Sequence, residues 1–82
     1  MSAFIENIID DFVDSGYGEK IEDDSIRSFA DDTVVVLEAI YEDEDVVGVV
    51  VYSNDLEVET LQYDDEDFAA RLAMTLASEL NI

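Results

Sequence analysis

The amino-acid sequence predicts an α+β domain in which two helices pack on one face of a three- or four-stranded antiparallel sheet. Apolar residues recur at helical spacing near both ends of the chain, and runs of β-branched residues occupy the middle. The chain has 82 residues, of which 49% are hydrophobic, so it can bury a small core. We therefore expect one domain spanning residues 1–82.

The N-terminal segment predicts an amphipathic helix, because apolar residues recur there every three to four positions. They are Phe4, Ile5, Ile8, Ile9, Phe12 and Val13. Ser2 is suited to cap the start of this helix, and Glu6 adds an acidic side chain near it. Gly16 or Gly18 is expected to end the helix in a left-handed turn.

The middle of the chain predicts an antiparallel meander. Residues 19–32 give a weak signal, with a short edge strand expected at 25–29. Segments 33–41, 46–52 and 56–62 are rich in β-branched and apolar residues and predict three further strands. Gly48 inside the second segment indicates a bulge or a close contact. Asn54 and Asp55 mark a turn between the last two strands.

The C-terminal segment predicts a second helix. Phe68, Leu72, Leu76 and Leu80 lie four residues apart and would form one apolar stripe. Asp64 or Asp65 is the expected N-cap. The acidic residues at 64–67 suit the positive end of the helix dipole.

The net charge is −20, from 23 acidic residues against Lys20, Arg27 and Arg71. Duplex DNA carries as many charges in about 34 Å, close to the roughly 30 Å width expected for a compact chain of this length. Such charge destabilises a compact state through self-repulsion. A basic nucleic-acid-binding protein is the simplest partner that would favour it. Direct binding to nucleic acid or to a membrane surface is not expected, because both are anionic.

The composition argues against several kinds of chemistry. The chain has no Cys and no His, so thiolate sites, imidazole bases and the usual nucleophilic triads are excluded. The acidic runs lack the spacing of a calcium-binding loop. We predict neither enzyme activity nor a cofactor or metal site. Without a signal-peptide pattern or a long apolar run, the predicted location is the cytoplasm, that of a host cell if a phage encodes the protein.

The C-terminal third resembles the small acidic anti-CRISPR proteins of phages, DNA mimics known from Listeria prophages that inhibit type II CRISPR nucleases. The matching residues are Tyr63, Asp64, Asp65, Glu66, Asp67 and Phe68, then Met74, Thr75 and Leu76, and finally Ser78, Glu79, Leu80 and Asn81. The order of helix, three strands and helix is also similar. The acidic run is one residue shorter here, and the middle of the chain does not align.

The resemblance implies a partner-binding surface. Asp65 and Glu66 would occupy the place of the short duplex motif that two arginines of the nuclease recognise, since arginine binds a carboxylate as it binds guanine, through two hydrogen bonds. The turn between the first two strands of the meander would add contacts. The implied set is Asp43, Glu44, Asp45, Tyr63, Asp64, Asp65, Glu66 and Asp67.

The resulting hypothesis is a DNA-mimic inhibitor that binds the basic groove of a defence nuclease and competes with target DNA. One alternative is an immunity protein or antitoxin that caps a basic nuclease toxin, with Tyr41, Tyr52 and Tyr63 as aromatic anchors. Another is a domain adapted to high salt, which would unfold in dilute buffer. The identity of the target stays open, as does the choice between a monomer and a small homo-oligomer.

Overall fold

Every strand of the sheet pairs with the strand that precedes or follows it in sequence. A computed structural model describes residues 3–80, which form helices α1 (Ala3–Asp14) and α2 (Phe68–Glu79) and strands β1 (Gly18–Glu22), β2 (Ser25–Ser28), β3 (Val34–Glu42), β4 (Asp45–Ser53) and β5 (Leu56–Gln62). The strand order is β1-β2-β3-β4-β5, and all four pairings are antiparallel. The α+β class is confirmed, with five strands where three or four were expected.

The turn after α1 uses the first of the two glycines proposed for it. Gly16 has a φ of +83°, and the amide of Tyr17 donates a hydrogen bond to the carbonyl of Phe12 (3.2 Å). This is the predicted left-handed end of the helix. Gly18 instead begins β1. The proposed cap at Ser2 lies outside the described residues.

The sheet has one more strand than expected because β1 precedes β2. The strand predicted at 25–29 exists as β2, but β1 covers its outer side, so it is not an edge strand. Two features of β1 make it hard to predict. Gly18 leaves no room for a side chain beside the Arg27 backbone, and the inward position at Lys20 carries a charge that pairs with Asp10 of α1 (2.8 Å).

The predicted meander is confirmed in β3, β4 and β5. Both interpretations of Gly48 are correct. A Cβ at this position would lie 2.5 Å from the carbonyl oxygen of Leu61, and the β3–β4 register shifts between Ile40 and Tyr41, next to it. Asn54 and Asp55 form the turn between β4 and β5, both with positive φ.

The core lies between the two helices and one face of the sheet. Its buried residues are Ile5, Ile9, Ile26, Val35, Leu37, Val49, Val51, Leu61, Leu72, Leu76 and Leu80. Three of the four predicted stripe residues of α2 belong to this cluster, and the fourth, Phe68, packs against it. Successive side chains of a strand point to opposite faces of the sheet. Since Val35 and Leu37 face the helices, the even-numbered residues of β3 from Val34 to Ile40 face away from them.

The start of α2 differs from the prediction. The N-cap residue is Asp67, and its side chain makes no capping hydrogen bond. Asp64 and Asp65 precede it in a tight loop, where the Asp65 amide donates to the Gln62 carbonyl (3.2 Å) and the Phe68 amide donates to the Asp65 carbonyl (3.1 Å). Because of these successive turns, α2 begins only after the acidic residues 64–67.

Candidate functional site

Three acidic segments lie at the same end of the sheet. Because the strands alternate in direction, the β1–β2 turn, the β3–β4 turn and the loop from β5 to α2 all leave this end. We call the surface formed by residues 22–24, 42–45 and 64–67 the acidic end. It includes seven of the eight predicted site residues, and the eighth, Tyr63, borders it.

The register of β4 and β5 brings the two predicted clusters together. Gly48 pairs with Gln62, and the Tyr63 amide donates a hydrogen bond to the Val47 carbonyl (2.8 Å). A cavity of about 290 Å³ lies between the clusters, with Glu42 on one side and Asp64 on the other. A partner bound here would contact the β3–β4 turn and the loop before α2 at once.

The third segment adjoins the same surface. The Leu37 amide donates to the Asp24 carbonyl (2.9 Å), which fixes the β1–β2 turn against the middle of β3. A cavity of about 440 Å³ separates this turn from Glu38 and Tyr41. Residues 22–24 and Glu42 were not among the predicted site residues. Their acidic character was visible in the sequence. The position of residues 22–24 depends on the unpredicted pairing of β1 with β2, whereas Glu42 adjoins the predicted β3–β4 turn.

The β3–β4 turn presents its acidic side chains from a constrained backbone. Glu42 pairs with Asp45, which leaves Asp43 and Glu44 as the two turn residues. Asp43 has a φ of +57°, a conformation that Asp tolerates better than most residues. All four side chains are exposed. A short turn of this kind holds them close together at the tip of the hairpin.

Tyr63 positions the second cluster through aromatic contacts. Its ring centroid lies 5.2 Å from that of Phe4 in α1 and 5.1 Å from that of Phe68 in α2. The Phe4 and Phe68 rings are 6.0 Å apart, so the three rings form one group. Tyr63 remains 49% exposed. It therefore anchors the loop and still offers an aromatic surface beside the acids.

The few basic residues neutralise little of the acidic end. Arg71 lies 3.3 Å from Asp65 and 3.6 Å from Glu59, and Lys20 lies 3.8 Å from Asp23. Within residues 3–80, no other acidic side chain of this surface forms an ion pair. Asp65, which the resemblance assigns to the partner's arginines, thus already has an arginine of its own.

Glu6 of α1 and Asp23 of the β1–β2 turn are two carboxyl groups that interact across this surface. A hydrogen bond with Asp23 and the negative charge of Asp23 raise the pKa of Glu6 above its ordinary value. A carboxyl group donates such a bond only when it is protonated, so the bond favours the protonated form of Glu6. Nearby, a hydrogen bond to Asp10 raises the pKa of Lys20. The acidic end therefore extends to the start of α1.

The described residues contain no group of three or more acidic side chains placed to hold a metal ion. Neither of the helices in residues 3–80 is long and apolar enough to cross a membrane. The arrangement suits recognition of positive charge, because its exposed carboxylates are hydrogen-bond acceptors with few internal donors.

Comparisons with known proteins find no matching family, no matching curated sequence and no matching solved structure.

Proposed function

We propose that this protein is a DNA-mimic inhibitor that binds the basic nucleic-acid groove of a defence nuclease, of the type II CRISPR class, and competes with target DNA. The observation that supports this most is the gathering of residues 42–45 and 64–67, which are far apart in sequence, into one exposed surface of nearly unpaired carboxylates. The sequence resemblance assigns the same two segments to the partner.

The charge density supports the same proposal at the scale of the molecule. The described residues extend 36 Å along their longest axis and 23 Å along the other two. A duplex 36 Å long carries roughly 21 charges, and this chain has a net charge of −20. A groove lined with Lys and Arg would therefore meet a similar total charge on this protein and on a DNA duplex of the same length.

The contacts would be charge-assisted hydrogen bonds from arginine to carboxylate. Such pairs are shorter and stronger than neutral hydrogen bonds, and a carboxylate accepts both arms of a guanidinium. Glu66 has no ion-pair partner within residues 3–80, and Asp65 would exchange Arg71 for an arginine of the nuclease. Long-range attraction would speed association, and added salt would slow it.

The test is whether the protein displaces target DNA from a guide-loaded type II CRISPR nuclease. The gel mobility of a labelled DNA duplex, measured at about 0.15 M salt, reports how much DNA stays bound. The site variant is Asp64→Asn, Asp65→Asn, Glu66→Gln and Asp67→Asn. The matched control removes four acidic charges from the opposite end through Asp14→Asn, Asp32→Asn, Asp55→Asn and Glu57→Gln. Far-UV circular dichroism verifies that both variants fold.

We expect the wild type and the control to release DNA from the nuclease, and the site variant to do so much less well. The proposal is wrong if excess wild-type protein leaves DNA binding unchanged. Equal losses in the two variants would mean that total charge alone, and not the acidic end, determines binding.

A second candidate function is an immunity protein that caps a basic nuclease toxin. Two aromatic side chains at the acidic end favour it, since Tyr41 is 54% exposed and Tyr63 is 49% exposed. Exposed tyrosines among acids are typical anchors of tight protein interfaces. Replacement of both by Ala would abolish binding to such a toxin, whereas a mimic of the phosphate backbone would lose less affinity.

A further inference from the structure

The outer edge of β3 is only partly covered by β2. The two strands pair from Ser25↔Val36 to Arg27↔Val34, and the Leu37 amide bonds to the Asp24 carbonyl. Beyond that point β2 has turned away, whereas β3 continues to Glu42. The segment 38–42 thus forms an open edge inside the sheet, which we call the β3 notch.

The alternation of the ladder identifies the unpaired backbone groups of the notch. The carbonyl of Thr33 and the amide of Leu37 both bond toward β2, so odd-numbered residues of β3 direct their polar groups to that side. Ala39 and Tyr41 follow the same alternation. Within the described residues, neither has a backbone partner on that side. Such an edge is a template for another strand.

The surroundings of the notch combine apolar and acidic side chains. The cavity of about 440 Å³ beside it is lined by Ile5, Leu37, Ala39 and Tyr41 on its apolar side and by residues 22–24 and Glu38 on its acidic side. Glu42 lies at the far end of the notch. An added strand of five residues would span about 16 Å along it.

We propose that the β3 notch binds an extended basic segment of a partner protein by strand addition. Positions opposite Ala39 and Tyr41 would place apolar side chains toward Ile5, and positions opposite Glu38 and Glu42 would carry Lys or Arg. The five residues of the bound segment opposite positions 38–42 would therefore be basic, apolar, unrestricted, apolar and basic, in that order. A second copy of this chain is a poor occupant, because two chains of net charge −20 repel each other.

This inference goes beyond the proposed function, because main-chain hydrogen bonds, and not charge alone, would select the partner. Separate experiments test the proposed function and the strand addition at the notch, so one can be wrong while the other holds. Competition with DNA tests the loop 64–67, and a short peptide that resembles no DNA-binding groove tests the notch.

The experiment titrates the acetylated and amidated peptide Arg-Val-Thr-Val-Arg into the isotopically labelled protein and follows its amide resonances by NMR. We expect shifts centred on residues 37–42, and slower hydrogen exchange at the Ala39 and Tyr41 amides. The matched control peptide carries N-methyl groups on both valines, which removes the donors that face β3 and preserves the charge. It should cause no localised shifts.

A pair of variants tests the register. Glu38→Lys should weaken peptide binding about three- to five-fold, because it replaces one cross-strand attraction with a repulsion. Glu57→Lys on β5 makes the same change of charge away from the notch and should have a smaller effect. Equal binding of the N-methylated peptide, shifts spread over all acidic segments, or exchange protection at Ala39 and Tyr41 without peptide would each overturn the proposal.

Discussion

Glu6 and Asp23 show how the large net charge acts on a single pair of side chains. They belong to α1 and to the β1–β2 turn, and folding brings them close enough to interact. The pKa of Glu6 is higher in the folded protein than its ordinary value of 4.5, because the hydrogen bond to Asp23 and the charge of Asp23 both favour the protonated form. The folded state therefore binds this proton more tightly than the unfolded state does.

The sign of the effect follows from linkage. Stability contributed by this group is full below the ordinary pKa and is lost as the pH rises through the raised value. Glu6→Gln should therefore raise the urea midpoint at pH 7, since the amide keeps a donor for Asp23 without a charge. The advantage over wild type should shrink as the pH falls toward 4.5 and below.

Glu66→Gln is the control for this measurement, because it removes one exposed acidic charge that forms no ion pair within residues 3–80. If both variants gain equally at pH 7, the effect is general charge reduction and the specific repulsion between Glu6 and Asp23 is not supported.

Arg71 allows a second prediction at the scale of a residue. Its ion pairs with Asp65 and Glu59 are exposed, so Arg71→Gln should change the free energy of unfolding by less than about 1 kcal/mol. If Asp65 binds the partner, the same substitution should improve competition with DNA for the nuclease. Asp65 would then bind without first breaking its ion pair with Arg71.

The matched control for this substitution is Arg27→Gln, which makes an identical change of net charge. Arg27 is 3.9 Å from Glu19 and lies away from the acidic end. Equal improvement in both variants would contradict a specific role of Asp65.

At the scale of the element, Gly48 determines how closely β4 and β5 approach. A Cβ at position 48 would lie 2.5 Å from the Leu61 carbonyl oxygen, so the backbone must move to accept Ala. We expect Gly48→Ala to cost about 1–3 kcal/mol in the free energy of unfolding. Urea denaturation followed by circular dichroism measures it.

Gly16→Ala provides the comparison. Its φ of +83° is strained for Ala, but an added Cβ meets nothing within 4 Å. We expect a cost of about 1 kcal/mol from the backbone alone. A smaller loss for Gly48→Ala than for Gly16→Ala would show that β5 adjusts easily and that the close approach is unimportant.

The elements that could be predicted are those with strong apolar patterns. The helices α1 and α2 and the strands β3 and β4 each bury at least two side chains in the core, so their apolar pattern is strong. The strand β5 contributes Leu61 alone to the core cluster and was predicted from its apolar and β-branched content. In β1, by contrast, Gly18 is the only buried residue, and Ile21 is exposed. This strand is held by its hairpin pairing with β2 and by the contact of Lys20 with α1, and neither leaves an apolar pattern in the sequence of β1.

The candidate site was predictable in composition and not in arrangement. The acidic runs at 43–45 and 64–67 are evident in the sequence, and the structure places them on one surface. Their proximity depends on the register of β4 with β5 and on the bulge next to Gly48. The involvement of Arg71 could not be predicted either, because its reach to Asp65 depends on where α2 begins.

At the scale of the whole molecule, the charge predicts the dependence of stability on salt. Screening shortens the range of repulsion from about 10 Å at 0.1 M to about 3 Å at 1 M. The urea midpoint should therefore rise as NaCl increases from about 0.02 M to about 0.5 M, while competition with DNA weakens over the same range.

Circular dichroism in dilute buffer separates the functional proposal from adaptation to high salt. A DNA mimic that acts at ordinary ionic strength should be folded at about 0.02 M salt. A protein that unfolds there and folds only near 1 M would support salt adaptation as the reason for the acidic surface.

The odd number of strands has a further consequence for the acidic end. A chain that crosses the sheet five times leaves it at the end opposite to the one where it entered, so α1 and α2 run in the same general direction and both begin at the acidic end. The positive poles of both helix dipoles then lie beneath the carboxylates, and each contributes about 0.3–1 kcal/mol of attraction to nearby charges. A meander with an even number of strands would place a negative pole there instead. Strand parity thus decides whether the helices relieve the crowding of charge or add to it.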